Sequence, residues 1–354
     1  MKKKAFLLFL LGASISLASC GAEGQDNTGG EENNGEEPLQ IYTTLYPWEE
    51  FTERIGGEEV QVENLVPEGS DVHSFEPTAQ TMVKVAESDA FIYNGAGMEG
   101  FAAAVRETAE QEGVASIEVT KNMELNTFEG HGESEDNHGS QHEEEEHDHE
   151  SEPHIEENHE EHESGEKEEQ NAEEDSHYHG DQDPHVWLDP LLAAEAAEKI
   201  KDELVNLRPD KEELFEKNYK ELESELESVH EKFEETASQT ENNTFLVSHS
   251  GYGYWEERYG LQQIGISGLS PSNEPSQKQL QDIIHLAEEN GLNHVMFEQN
   301  VSSKVAQVVQ KEVGAEALYL HNLESLTEDD AAGGENYFSI MENNIDNLNE
   351  ALNK

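Results

Sequence analysis

Between Glu129 and Asp183 the chain has almost nothing to bury. The stretch holds ten histidines, 24 acidic residues and one lysine. Such a composition cannot offset the entropy of ordering a chain. A loop far longer than about 12–15 residues is either functional or disordered, and residues 129–183 read as both. No continuous core can run through them. The folded structure must therefore be assembled from the sequence on either side, and 354 residues is a length for about two domains.

On the first side, strands and helices alternate. β-rich runs at Leu39–Tyr46, Val60–Val66, Ala90–Tyr93 and Ser116–Thr120 are separated by helical patterns at Pro47–Ile55, Thr78–Glu87 and Met98–Glu112. The second side repeats the pattern. Strands are expected at Thr244–Ser248, Leu261–Ile266, His294–Glu298 and Ala317–Leu320, with a closing helix at Tyr337–Leu352. Alternation of this kind argues for parallel, doubly wound sheets. Between the halves, Asp189-Pro190 starts a helix and Pro209-Asp210 restarts it. Phe215, Tyr219, Leu222, Leu226, Val229 and Phe233 then form one apolar stripe. That helix of roughly 28 residues would be about 40 Å long, enough to run down two lobes. The expected fold class is thus α/β: two doubly wound lobes joined by one long rigid helix, with a cleft between them. Ligands of open parallel sheets bind beyond the carboxyl ends of the strands.

Charge and the N-terminus narrow the partners. A formal net charge of -61 makes nucleic acid and anionic lipid headgroups poor partners and cations good ones. Met1-Lys2-Lys3-Lys4 is basic, Ala5 to Leu17 is mostly apolar, and Leu17-Ala18-Ser19-Cys20-Gly21 ends the run. This segment resembles a bacterial lipoprotein signal, in which the cysteine becomes the acylated N-terminus. Residues 1–19 are then a signal peptide, Cys20 the lipidation site and residues 20–37 a flexible tether. No other run approaches transmembrane length. Cys20 is the only cysteine, so no disulfide is possible and no thiol is left for metal. The expected domains are residues 38–190, carrying the insertion, connecting helices over 191–242, and residues 243–354.

Seven histidines lie outside the insertion, and three of them sit where strands or lobes meet. His73 lies within Ser70-Asp71-Val72-His73-Ser74-Phe75-Glu76-Pro77. His185 lies within Asp183-Pro184-His185-Val186-Trp187-Leu188-Asp189-Pro190. His249 closes a strand. Neutral imidazoles at strand mouths suit a metal, and nearby carboxylates can fix each ring's tautomer. Of the others, His230, His285 and His294 read as structural. His321 ends a strand and is kept as a reserve ligand.

These motifs, with Tyr254 and Tyr259-Gly260-Leu261, resemble those of the solute-binding lipoproteins of ABC metal importers, the zinc/manganese family whose lobes are joined by one long helix. The resemblance covers Pro38 to Lys354 and includes an acidic, histidine-rich insertion. It implies a non-enzymatic protein outside the membrane, anchored by lipid and working as a monomer, that hands a metal ion to a permease and ATPase. It also implies that His73, His185 and His249 each supply a nitrogen and that a carboxylate near the C-terminus completes the site. Glu335 is the matching position, with Glu298 as competitor. Val72 stands where the family often has proline, and the disulfide of some zinc members is absent. Three imidazoles and one carboxylate suit tetrahedral Zn²⁺, whereas Mn²⁺ prefers more oxygen.

Three other functions compete. A manganese-binding member of the same family would differ in its donors. A metallohydrolase would need an open coordination position and a base, and no His-Glu-x-x-His helix is present. A surface adhesin or metal-sequestering lipoprotein would use the insertion and not the cleft.

Overall fold

The structure is a computed structural model that describes residues 37–128, 182–301 and 303–353. The expected signal peptide, Cys20, nearly all of the tether and residues 129–181 of the insertion lie outside the described residues. Among the described residues no helix is long and apolar enough to cross a membrane.

The first lobe is a four-stranded sheet of β1 (Leu39–Thr43), β2 (Val60–Asn64), β3 (Ala90–Tyr93) and β4 (Ala115–Glu118). All its pairings are parallel, in the order β2-β1-β3-β4. Helices α1 (Tyr46–Gly56), α2 (Ala79–Ala86) and α3 (Ala102–Glu112) connect the strands. The second lobe repeats the order as β6-β5-β7-β8, again all parallel. Its strands are β5 (Thr244–His249), β6 (Gln262–Ser267), β7 (His294–Phe297) and β8 (Glu316–Tyr319). Central strands β3 and β5 are buried along their whole length, whereas edge strand β2 alternates. That difference follows from helices covering both faces of a parallel sheet. In each lobe the strand order reverses between the first and third strands, and there the sheet leaves a crevice.

Helices α4 (Pro190–Leu207) and α5 (Glu212–Gln239) connect the lobes. Asp189 caps α4, its carboxylate accepting from the Leu191 and Leu192 amides at 2.9 and 3.2 Å, with Pro190 in the first turn. The six-residue stripe of α5 is buried throughout. It packs against α1 and α4 on one side and α10 (Tyr337–Leu352) on the other. Each such side chain contributes roughly 1.5–3 kcal/mol by leaving water, so one helix serves as a spine for both lobes. The main core is continuous across them, and a smaller core of Leu246, Ile264, Ile283, Val295 and Val309 lies under α7 (Gln277–Glu289) and α8 (Lys304–Val313).

Two local departures from the sequence reading matter for the site. The helix expected from Met98 starts at Ala102 because Gly95, Ala96 and Gly97 all adopt positive φ. This turn brings the buried Glu99 carboxylate back onto the Asn94 and Gly95 amides, at 2.7 and 3.1 Å, and onto the Thr44 hydroxyl. Glu99 thereby fills the crevice of the first lobe. The Asn94 side-chain amide donates to the Pro184 carbonyl at 2.9 Å, fixing the motif that carries His185. The second departure is an unanticipated short helix, α9 (Glu328–Gly333), capped reciprocally by Thr327 and Asp330.

The lobes are stitched together on both flanks of the cleft. On one flank the Tyr254 hydroxyl donates to the Asp183 carbonyl at 2.6 Å and the Trp255 indole to the Leu188 carbonyl at 2.7 Å. On the other, an arm after β8 meets the first lobe. The Tyr46 amide donates to the Glu324 carbonyl at 3.0 Å, and the Gly69 amide to the Leu326 carbonyl at 2.8 Å. The Ser325 hydroxyl donates to the Ser70 carbonyl at 2.8 Å, and the Trp187 indole to the Asn322 carbonyl at 2.7 Å. Each contributes about 0.5–1.5 kcal/mol net.

Candidate metal centre

His73 sits in a 3-10 turn, Val72–Ser74, whose start is capped by Asp71 accepting from the His73 amide at 3.0 Å. Val72 is buried and anchors the turn. His185 opens the next 3-10 turn, Val186–Leu188, and is fully buried. His249 ends β5, at the crevice of the second lobe, and is also fully buried.

Carboxylates set two of the rings. His185 Nδ1 donates to Asp183 at 2.7 Å, and the His185 amide donates to the same oxygen at 3.0 Å. His249 Nδ1 donates to Glu298 at 2.6 Å, and Glu298 also accepts from the Ser248 and Tyr252 hydroxyls at 3.0 and 3.1 Å. Ionised carboxylates only accept, so each Nδ1 carries the proton and each Nε2 keeps a lone pair. Those two Nε2 atoms face one another at 3.3 Å. Two lone pairs so close repel unless a cation or proton lies between them.

The remaining two groups tell the same story. His73 Nε2 is 3.6 Å from a Glu324 carboxylate oxygen, and both atoms are buried without a hydrogen-bond partner. Orphaned buried acceptors are rare and call for an ion or a water. One ligand atom each from His73, His185, His249 and Glu324 lie within 4.8 Å of one another. Burial pushes the His185 imidazole below the ordinary range, so it stays neutral. For Glu324, burial acts upward, but His73 and His249 outweigh it and hold the carboxyl below its usual range. Neutral nitrogen and ionised oxygen are the forms a metal takes.

The carboxylate that lies with the three histidines is Glu324 and not the expected Glu335. Glu335 is half-buried at the start of α10, where its carboxylate accepts from the Ser339 hydroxyl at 2.6 Å. Helix α9 and the left-handed Gly334 separate Glu335 from the arm in sequence, and Glu335 is not among the gathered donors. Glu324, on the arm directly after β8, meets the histidines instead. Glu298 stands behind His249 and not among the four. His321 is not gathered either. Its Nδ1 accepts from the Leu323 amide at 2.9 Å, so Nε2 carries the proton toward Asp330, 3.2 Å away. No lone pair is left for a metal. The rule that selected His249, a position beyond the carboxyl end of a strand, picks out Glu298 after β7 and Glu324 after β8 alike, so it narrows the choice without making it.

Space at the site is narrow. A Cβ on Gly251 would lie 2.7 Å from His249 Nε2 and 3.4 Å from His185 Cδ2. Gly251→Ala is therefore expected to push the imidazoles apart and weaken metal binding by about 10- to 100-fold, the scale of a disturbed supporting contact. Gly100→Ala, with nothing within 4 Å of the added carbon, is expected to bind as the parent does. Competition against a chromogenic chelator measures both.

A donor cluster at the junction of two like lobes, spanned by one long helix, defines the class: a two-lobe solute-binding protein with its site between the lobes. The chain belongs to the family described as zinc-uptake complex component A, periplasmic, whose profile matches residues 41–351. It is 33% identical over 354 residues to the zinc-binding lipoprotein AdcA of Streptococcus pneumoniae strain R6. That alignment takes in the whole of this chain but 62% of the relative, so the chain spans less than two thirds of that protein's length. It is also 33% identical to the high-affinity zinc uptake system protein ZnuA of Bacillus subtilis strain 168, over 99% of each chain. Among solved structures, the Zn(II)-bound ZnuA-like domain of S. pneumoniae AdcA superposes with a TM-score of 0.66 at 31% identity. The match covers 90% of this chain and all of that one.

Proposed function

We propose that the chain captures Zn²⁺ outside the cytoplasm and delivers it to an ABC importer, with His73, His185, His249 and Glu324 as the four ligands. The observation that carries this reading is the convergence of three imidazole nitrogens and one carboxylate oxygen within 4.8 Å. Zinc takes such a set tetrahedrally, with nitrogen at about 2.0–2.1 Å, and manganese is disfavoured by the single carboxylate. A four-donor set supplied by the protein leaves no fixed position for an activated water, which favours capture over hydrolysis. The names of the relatives and the zinc-bound neighbour support the same ion. Lipid attachment at Cys20 and action as a monomer complete the proposal, and residues 129–183 serve as a weak, multiple collector next to His185.

The test is a pair of substitutions. Glu324→Gln removes the anionic donor and is expected to weaken zinc binding on the order of 100-fold. Glu335→Gln is expected to leave it unchanged. Both are read by chelator competition on the purified chain. A parental affinity for Glu324→Gln, or a loss confined to Glu335→Gln, would remove Glu324 from the site.

A further inference from the structure

Glu324 lies on an arm that needs holding. Leu323, the residue before it, has φ of 61°, a left-handed conformation that costs any L-residue with a branched side chain. The arm carries no regular structure between β8 and α9. Something must keep this turn in place, and the front of the arm supplies only the bonds to the first lobe. Behind it stands His321.

We propose that His321 is a positioning residue for metal capture, acting through the Leu323 amide to aim the Glu324 carboxylate into the cleft. The inference rests on the reading of Glu324 as the fourth donor. His321 is buried, and each of its polar groups is engaged. Its backbone is clamped by Asn344 of α10, which accepts from the amide and donates to the carbonyl, both at 2.8 Å. Its ring then joins two structures. Nδ1 accepts from Leu323, fixing the left-handed turn, and Nε2 donates to Asp330. Asp330 is the residue that accepts from the Thr327 amide at 3.1 Å and ends the arm at α9. One imidazole thus spans the arm from its strained turn to its far anchor. Burial keeps that ring neutral, and only the neutral form can accept at one nitrogen while donating at the other. The tautomer is opposite to that of His185 and His249, which is why a histidine so near the site holds a ligand without being one.

The two contacts of the ring can be separated by substitution. Asparagine places a carbonyl oxygen where Nδ1 stands and can accept from Leu323, but it cannot reach Asp330. Glutamine reaches toward Asp330 but leaves the Leu323 amide without its acceptor. His321→Asn is expected to keep the parental zinc affinity, whereas His321→Gln is expected to lose about 10- to 100-fold. In a Glu324→Gln background the same His321→Gln change is expected to cost nothing further, since an arm without its carboxylate has nothing to aim. Cobalt-loaded protein gives a second readout: the visible ligand-field bands should shift in His321→Gln and stay parental in His321→Asn. Equal losses in the two variants, or a loss that persists undiminished without Glu324, would overturn the role of His321. If Glu324→Gln alone binds zinc as the parent does, the fourth donor is misassigned and this inference falls with it. If Glu324→Gln weakens binding and His321→Gln does not, only the part assigned to His321 is lost.

Discussion

His249→Ala and His185→Ala are each expected to weaken zinc binding on the order of 100-fold or more, and His73→Ala by less. Four-ligand zinc sites bind with about 10–16 kcal/mol, so one donor carries on the order of 3 kcal/mol, or roughly two decades in affinity. The ranking comes from what stands behind each ring. Removing His249 strips the buried Glu298 of its closest donor, at 2.6 Å, and removing His185 does the same to Asp183 at 2.7 Å. A buried carboxylate short of a donor adds its own penalty. No carboxylate orients the His73 ring through Nδ1 among the described residues, so its loss leaves less uncompensated. Protons enter the same balance. Burial pushes the His249 imidazole down, but Glu298, aided by Glu324 and Asp183, more than offsets this and holds it above the ordinary histidine range. Zinc must displace that proton whenever the pH lies below the raised value. Affinity should therefore fall as the solution is acidified through the histidine range, with proton release on binding. Calorimetry in two buffers of different ionisation enthalpy measures that release. An affinity that is flat from neutral to mildly acid pH, or a His73→Ala loss larger than the other two, would contradict this account.

Trp187→Ala is expected to cost about 3–5 kcal/mol of stability and to lower the melting temperature on the order of 10 °C. The indole is fully buried between the lobes. It meets Trp48 edge to face at 6.4 Å and lies under the His185 ring at 5.3 Å. Its nitrogen donates across the cleft to the arm carrying Glu324. Alanine would leave a cavity, orphan the Asn322 carbonyl and unseat two elements of the site at once. Zinc affinity should fall along with stability. Val83→Ala, at a side chain 56% exposed, is the control and should change little. A melting temperature for Trp187→Ala equal to that control would show that the interlobe packing contributes far less than its burial implies.

The two sheets and the spine could be read from the sequence because their signals are local. Phe215 to Phe233 repeat at helical spacing, and runs such as Phe245-Leu246-Val247 have only one sensible use. The three histidines were legible for a related reason: each closes a strand or sits in a turn-rich motif beside a carboxylate. The fourth group was not. With 81 acidic residues in the chain, a single glutamate carries little information by type. What distinguishes Glu324 is long-range: the left-handed Leu323, the clamp from His321 and Asn344, and bonds to Tyr46, Gly69 and Ser70, some 250 residues or more away in sequence. Helix α9 was missed because its six residues show no apolar period. Asp183 was legible as part of a motif, but its bond to His185 depends on how the turn folds back, which residue types alone do not specify.

The stitching on both flanks of the cleft has a mechanical meaning. A jaw that must close around its cargo is taxed by the fraction of time it spends open, and opening it again reverses the same motion. Here the arm and the motif around His185 are tied to the opposite lobe by hydrogen bonds on both sides of the gap. Any parting of the lobes therefore has to break particular bonds and cannot be a free swing. On the arm's side those are its bonds to Gly69, Ser70 and Tyr46, which make this edge of the cleft a latch and not a hinge.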